Sequence, residues 1–277
     1  MNQTIKQRGQ ARWLGLLGVV LLAMTGSGCQ SLPPPVRGGP PSRSAVPQSS
    51  RAHQPLLGLS RQQEIELGRQ SAAAIEQQQG LMPAADLESQ LTHIADRLAP
   101  HTAEPTYRYQ VHILNTGEVN AMSLPDGSVF VTRGFVDQLH PTEQDYAAVL
   151  GHELSHVALH HLSHRVAAQR EEGIAVTLLA LLSGRRRAVV AGAILGQLAT
   201  LQFSRSQEYE ADLHGADTLL AAGYDPVAMI HLLQKLERLH PSPSRLKIGL
   251  SNHPATRDRI AKVQAHILVT EAQAARH

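Results

Sequence analysis

The stretch Gly151-His152-Glu153-Leu154-Ser155-His156 carries the strongest structural signal in this chain of 277 residues. Its two histidines are four residues apart, so on a helix they lie about one turn apart on the same face, and both imidazoles can reach one metal ion. Glu153 can reach a water molecule held at that metal, which is why this spacing suits metal-assisted hydrolysis. The neighbouring residues are mostly apolar, which predicts a buried helix whose polar side chains need a partner such as a metal.

A catalytic zinc ion normally takes three protein ligands and leaves one position open for water. The third ligand is expected on another helix, where Glu208 and Asp212 are four residues apart and share a face. Glu208 could bind the metal, and Asp212 could hold a metal-binding imidazole through its free N–H. Spacing alone does not select Glu208 over Glu210, but these two side chains point about 200° apart on a helix, so only one of them can face the metal. The pairing with Asp212 favours Glu208.

The rest of the folded region is predicted to be a predominantly helical α+β domain with a small antiparallel sheet. Apolar periodicity and capping residues predict helices over residues 60–79, 84–98, 142 to beyond 165, 204–222 and from 225 onward. Alternating apolar residues predict strands over 107–113, 121–124 and 128–132, the last two joined by a turn at 125–127. Aromatic residues make up only 3% of the chain, so aliphatic side chains and alanine must fill the core.

Several further histidines are predicted to lie away from the metal. His160 and His164 continue the four-residue spacing, but each step drifts about 40° around the helix, so both leave the metal-facing line. His161, His231 and His240 have no partner visible in the sequence.

A very apolar segment at 174–201 is interrupted by Gly184 and by three arginines at 185–187. A transmembrane pair would place these arginines inside or between two half-length spans, which is costly. Neither half reaches the roughly 20 residues that a membrane-spanning helix needs. Buried helices joined by an exposed arginine loop are expected, and contact of this surface with lipid stays open.

The N-terminus has the three parts of a secretory signal peptide over residues 1–28. Basic residues come first, an uncharged run at 13–24 follows, and small residues end the segment. The run is too short to cross a hydrocarbon core of about 30 Å as a helix. The only cysteine, Cys29, follows in a position that resembles a bacterial lipobox, which predicts that Cys29 is lipidated. A free thiol beside an ordinary cleavage site is the alternative.

Residues 29–58 are rich in proline, glycine and serine, which predicts a disordered tether of a lipoprotein ahead of a folded domain at 59–277. Residues 1–28 contain three of the 25 basic residues and none of the 23 acidic ones, so the remaining chain has a net charge of −1. This charge gives no basis for nucleic-acid binding, and no nucleic-acid partner is expected.

Four segments occur in the order seen in the HtpX and CAAX-prenyl-protease superfamily of zinc metallopeptidases. They are residues 120–134, which begin with Asn120-Ala121, and residues 151–156, 204–212 and 253–259. The chain most resembles the soluble, periplasmic BepA/LoiP-like branch, over about residues 60–270. It ends shortly after the fourth segment, so we expect it to lack the C-terminal helical repeats of BepA. The resemblance implies a zincin-type (gluzincin) metallopeptidase domain.

The resemblance also implies a role for each residue of the site. It implies one Zn²⁺ per chain bound by His152, His156 and Glu208, with Glu153 as the general base and Asp212 behind His152. The implied substrate-binding residues form a sheet edge that receives the substrate as an added strand, a mode that needs little sequence specificity: Asn120, Ala121, Met122 and Ser123.

Two residues of the fourth segment are also similar to functional residues of the superfamily. His253 resembles a mobile loop histidine that can cover the metal in a resting state. Arg259 is similar to an arginine near the developing oxyanion, where both residues could stabilise the negative charge.

The main hypothesis is a zinc-dependent endopeptidase of the bacterial periplasm that hydrolyses misfolded or misassembled envelope proteins. It would be anchored by a lipid on Cys29 to the outer membrane, because Gln30 replaces the aspartate associated with inner-membrane retention. The alternatives are a chaperone-like or adaptor lipoprotein with latent or little proteolytic activity, and a metal-storing module. The presence of Glu153 argues against both alternatives, since neither needs a general base.

Overall fold

The computed structural model of the chain describes residues 60–168, 203–239, 253 and 257–274. The elements in chain order are α1 (Arg61–Gln79), α2 (Ala85–Leu98), β1 (Gln110–Leu114), β2 (Ala121–Ser123), β3 (Ser128–Thr132), α3 (Arg133–Leu139), α4 (Glu143–Ala158), α5 (His161–Ala168), α6 (Arg205–Ala221), α7 (Val227–Leu239) and α8 (Arg257–Ala274). None of the helices in these ranges is long and apolar enough to cross a membrane. The predicted signal peptide, Cys29, the tether and the segment at 174–201 lie outside the described residues. The predicted α+β class with predominant helix is confirmed.

Capping boxes begin three of the helices. The hydroxyls of Ser60, Thr142 and Ser204 each accept a hydrogen bond from the backbone N–H three residues on, and the side chain there accepts one in return. Each such cap stabilises its helix by about 1 kcal/mol. Gly80 and Gly223 follow α1 and α6 with φ angles of 72° and 80°, which glycine adopts without strain. These local signals explain why the predicted ends of α1 and α6 agree closely with the structure.

The three strands form one mixed sheet in the order β1-β3-β2. β2 and β3 are antiparallel, with Ala121 opposite Val131, as the tight turn between them requires. β1 is parallel to β3, with Gln110 opposite Ser128, so the prediction of an antiparallel sheet was wrong for this pair. Successive strands alternate in direction, so the first and third strands, β1 and β3, run the same way. Because β3 lies between β1 and β2, these two strands of like direction become neighbours and pair in parallel. The strand predicted at 107–113 begins only at Gln110.

Helix α4 lies at the centre of the domain, with every residue from Asp145 to Ala158 buried. It packs against α6, and the two helices come close where Gly151 meets Gly215. A Cβ atom on Gly151 would lie 3.3 Å from the carbonyl oxygen of Gly215, which is tighter than ordinary packing. The missing side chains therefore allow a close approach, which sets the distance between the polar side chains of α4 and the acidic side chains of α6.

The prediction that one helix continues past Arg165 was wrong. α4 ends at Ala158, His160 adopts a φ of 55°, and α5 begins at His161. A positive φ is uncommon for a residue other than glycine, so no ordinary turn residue marks this break in the sequence. The break redirects the chain directly after the His-Glu-x-x-His stretch.

Candidate metal centre and active site

Helices α4 and α6, together with His253 from the segment before α8, bring four donor groups together in the buried centre of the domain. His152, His156, Glu208 and His253 each offer one ligand atom, and these atoms all lie within 4.8 Å of one another. The Nε2 atoms of His152 and His156 are 3.1 Å apart. Each of these two atoms lies 3.7 Å from a carboxylate oxygen of Glu208. The structure thus places the three predicted metal ligands side by side.

This donor set fits a zinc ion. Two nitrogen ligands at about 2.0–2.1 Å from a tetrahedral zinc are roughly 3.3 Å apart, close to the observed 3.1 Å between the two Nε2 atoms. Imidazole nitrogen and carboxylate oxygen are both common zinc ligands. All four donor residues are buried, and a bound cation would offset the cost of removing these polar groups from water.

Asp212 and Arg259 lie directly behind the donors. Oδ1 of Asp212 is 3.0 Å from Nδ1 of His152. Asp212 can therefore orient the His152 ring so that the Nε2 atom of His152 points towards Glu208. Arg259, on α8, donates two hydrogen bonds to the Asp212 carboxylate at 2.7 and 2.6 Å. Its Nη1 atom lies 2.7 Å from Oε2 of Glu208 and donates to the carbonyl oxygen of His253 at 3.2 Å. Arg259 therefore joins α8 and the His253 backbone to α6.

Burial and charge together determine the ionisation of this group. Burial raises the pKa of Asp212, but the charge and hydrogen bonds of Arg259 outweigh it and lower the pKa to about 2. The pKa of Glu208 is also lowered, because the charges of His253 and Arg259 outweigh the effect of burial. Burial lowers the pKa of Arg259, and the two carboxylates more than reverse this. Two carboxylates face one guanidinium, so these three groups have a net negative charge that favours a cation.

Glu153 lies beside the donors, and Ser123 on strand β2 contacts its carboxylate. The hydroxyl of Ser123 lies 2.9 Å from Oε2 of Glu153 and 2.9 Å from its carbonyl oxygen, so it can donate to either atom. Oε1 of Glu153 has no hydrogen-bond partner in the described ranges and lies 3.6 Å from Nε2 of His253. Oε2 of Glu153 therefore has a hydrogen-bond donor within reach, whereas Oε1 has none among the described residues.

The predicted substrate segment forms strand β2 at the edge of the sheet, next to α4. The backbone N–H of Asn120 donates to the hydroxyl of Thr132 at 2.9 Å, and the carbonyl oxygen of Asn120 accepts from the backbone N–H of Thr132 at 3.0 Å. Ala121 is buried, whereas Met122 and Ser123 are half-buried. Within the part of the chain that the structure describes, β2 pairs with β3 on one side only. A small, partly open pocket adjoins this edge, and its apolar lining includes Leu124, Val157, Leu162 and Phe203.

His253 lies on the opposite side of the donors from Asp212 and is buried. Its Nδ1 atom is 2.7 Å from Oε1 of Glu208 and 3.3 Å from Nε2 of His152. The Phe203 ring stacks on it, with ring centroids 4.9 Å apart. Burial lowers the pKa of His253, but the Glu208 and Glu153 carboxylates outweigh this and raise it. His253 thus lies against Glu208 and against His152, one of the two α4 histidines.

His161, which has no predicted role, contacts His156 and in turn contacts Glu210. Nδ1 of His161 lies 3.0 Å from Nδ1 of His156, and Nε2 of His161 lies 3.2 Å from Oε2 of Glu210. Burial lowers the pKa of His161 to about 4, despite the opposing effect of Glu210. Burial, together with the neighbouring imidazoles, lowers the pKa of His156 well below 6.5. The sequence carries no signal for this contact, because it depends on the turn at His160.

A buried His-Glu-x-x-His helix, a carboxylate from a second helix and an adjacent sheet edge that no described residue pairs with are the features of a metalloendopeptidase. The chain belongs to peptidase family M48, whose sequence profile matches residues 81–267. The predicted superfamily is thereby confirmed.

Three relatives are similar to this chain over different lengths. The metalloprotease LoiP of Escherichia coli strain K12 is 27% identical over 262 residues, which cover 90% of this chain and 94% of LoiP. The mitochondrial metalloendopeptidase OMA1 of Schizosaccharomyces pombe is 28% identical over 63% of this chain and 51% of its own length. The β-barrel assembly-enhancing protease of E. coli strain K12 is 27% identical over 73% of this chain and 43% of its own length. The chain therefore spans almost all of LoiP but only about half, or less, of the other two.

Proposed function

We propose that this metalloendopeptidase uses zinc and cleaves misfolded or misassembled proteins of the bacterial cell envelope. The observation that carries the proposal is the convergence of His152, His156 and Glu208 beside Glu153, next to a sheet edge that is unpaired among the described residues. A metal-storing protein would need the donors but neither the general base nor the edge.

In this proposal His152, His156 and Glu208 hold one Zn²⁺, and Asp212 orients His152. When bound, zinc lowers the pKa of a water molecule towards about 7 and polarises the scissile carbonyl group. The close contacts of Glu208 with Arg259 and of His152 with Asp212 keep the ligands in place before substrate binds.

Glu153 is the proposed general base. Its free Oε1 takes a proton from the attacking water as the water oxygen bonds to the peptide carbon, and then delivers it to the departing amine nitrogen as the C–N bond breaks. Ser123 holds Oε2, so the carboxylate stays turned towards the donors. Arg259 and His253 are the proposed positive groups for the developing oxyanion. Arg259 is buried beside Glu208, which places its guanidinium next to the donors, although Asp212 and Glu208 already pair with it.

The proposed substrate is an extended stretch of unfolded polypeptide. Residues 120–123 would pair with it as an added strand, because backbone N–H and C=O groups supply the affinity in this mode. The apolar side chains that line the small pocket next to Ser123 would contact one substrate side chain. Folded proteins seldom offer a free extended segment, so this mode selects misfolded or misassembled proteins.

His253 is proposed to keep the enzyme in a resting state. Its contacts with Glu208, His152 and Glu153 place its ring where substrate must bind, so it has to move before cleavage. The same position favours the second candidate function, a client-binding lipoprotein with little proteolytic activity.

The proposed location is the periplasm, with residues 1–28 removed, Cys29 anchored in the outer membrane by a lipid, and residues 29–58 acting as the tether of a domain at 59–277. The composition of these segments supports this location. The name of one relative refers to β-barrel assembly, which supports envelope proteins as substrates. Mass spectrometry of the mature N-terminus should show acylated Cys29, and an unmodified terminus would exclude the anchor.

The decisive experiment compares wild type, Glu153→Gln and His253→Ala on an unfolded fluorescent casein, with zinc content measured in all three. We expect wild type and His253→Ala to cleave, and Glu153→Gln to keep its zinc but lose cleavage. If all three bind zinc and none cleaves, the chain is a client-binding protein and the protease proposal is wrong.

A further inference from the structure

We propose that His161 and Glu210 are positioning residues that orient His156 as a metal ligand through a directed chain of hydrogen bonds. The proposal rests on the zinc site proposed above but concerns residues outside its donor set. His161 is buried, whereas the Glu210 side chain is 59% exposed, so the chain runs from the metal site to the surface.

The three side chains are aligned for such a chain. Nε2 of His156 faces Nε2 of His152, so Nδ1 of His156 lies on the side of the ring turned away from the donors. The next two separations are 3.0 Å from His156 to His161 and 3.2 Å from His161 to Glu210. Both values are in the range of ordinary hydrogen bonds.

The chemistry of the groups sets the direction of both hydrogen bonds. A ring nitrogen that binds a metal has no proton, so neutral His156 must carry its proton on Nδ1 and donate it to Nδ1 of His161. The proton of His161 is then on Nε2, which donates to Glu210. A carboxylate can only accept, so it permits this direction and no other. Glu210 therefore selects the tautomer of His156 that presents a free lone pair on Nε2.

The two α4 histidines are supported unequally. His152 lies 3.0 Å from the buried Asp212, which Arg259 holds with two hydrogen bonds. His156 reaches a carboxylate only through a second imidazole, and that carboxylate is half open to solvent. We therefore expect a larger effect from loss of His161 than from loss of Glu210.

A purely structural role for His161 makes different predictions. Its ring packs against those of His156 and Phe203, with centroid distances of 4.8 and 6.3 Å. If this packing were its whole contribution, the shape of residue 161 would matter, but its tautomer and the charge of Glu210 would not.

The first measurement is the Zn²⁺ affinity of the full-length chain, by competition with a chelator. His161→Phe keeps an aromatic ring but removes the acceptor, and should weaken zinc binding roughly tenfold, the lower end of the effect of losing such a partner. Glu210→Gln should weaken it several-fold, about two- to five-fold by the same reasoning for a more distant group. His161→Gln, which can accept from His156 and donate to Glu210, should restore most of the affinity.

A matched control lies on the same helix. Asp217 is 2.7 Å from His266, and its side chain is 50% exposed, so Asp217→Asn removes a similar carboxylate–histidine pair away from the donors. Its zinc affinity should equal that of wild type.

The second measurement is nitrogen-detected NMR of the zinc-loaded wild type, which reports the tautomer of each ring. We expect the proton of His156 on Nδ1 and that of His161 on Nε2. A His161 proton on Nδ1, or unchanged zinc affinity in Glu210→Gln, would overturn the proposal even if His161→Phe failed to fold. If wild type binds zinc in these cases, the zinc site stands without the positioning chain. If wild type binds no zinc, both fall.

Discussion

Replacing Arg259 with methionine should destabilise the domain by about 2 to 5 kcal/mol, because it leaves a buried carboxylate without its partner. The lowering of the Asp212 pKa from 3.8 to about 2 corresponds to about 2 kcal/mol, at 1.36 kcal/mol per pKa unit. Burial acts in the opposite direction on this pKa, so the loss of the arginine alone costs more. Breaking a buried ion pair by removing one partner typically costs about 3–5 kcal/mol.

The assay is urea unfolding of both proteins at pH 7 with a chelator present, so that zinc does not contribute, followed by linear extrapolation of the free energy of unfolding. Arg257→Met is the control, because Arg257 lies two residues earlier on α8, is 92% exposed and pairs with Glu237 at 3.1 Å. Exposed ion pairs of this kind contribute little, so no measurable change is expected. A loss for Arg259→Met no larger than for Arg257→Met would refute the reasoning that this buried group holds α8 onto α6.

Three other predictions concern stability, catalysis and the metal. Lys235→Met should lower the free energy of unfolding by about 1 kcal/mol at pH 7, because Lys235 lies 2.6 Å from Asp145. Burial raises the Asp145 pKa, but hydrogen bonds from Lys235 and Thr142 outweigh burial and lower the pKa below 3.8. Urea unfolding should therefore show the full stabilisation above about pH 4. The stabilisation should be lost as the pH falls through the lowered pKa of Asp145. Ser123→Ala should lower kcat roughly tenfold at unchanged zinc content, since a hydrogen bond to a charged group is worth about 1.5 kcal/mol, and a wild-type kcat would show that Ser123 does not hold Glu153. Removal of the metal with a chelator should abolish casein cleavage and added Zn²⁺ should restore it, whereas cleavage that survives chelation would contradict a metal-dependent mechanism.

Much of the helical framework could be predicted because its signals are local. The capping boxes at Ser60, Thr142 and Ser204 and the apolar periodicity depend on residues three or four apart, and the helices begin where these signals occur. The same helical period places His152 and His156 on one face, whatever the rest of the fold does.

The sheet and the break after α4 could not be predicted in the same way. The parallel pairing of β1 with β3 depends on which strand inserts between the other two, and the alternation pattern of each strand is the same for either pairing. The turn at His160 has a positive φ without glycine, so tertiary contacts and not local preference hold it.

The sequence by itself determined the chemistry available to this protein: two histidines and a glutamate at helical spacing, a second acidic helix, and a short hairpin ahead of them. Only the tertiary structure decided which side chains meet. The close approach of Gly151 and Gly215 brings Glu208 to the α4 histidines, and Arg259 contacts both Asp212 and Glu208. The break at His160 places His161 between His156 and Glu210. Most of these contacts join residues far apart in the chain, and their distances are set by packing of the whole core, which no local pattern encodes.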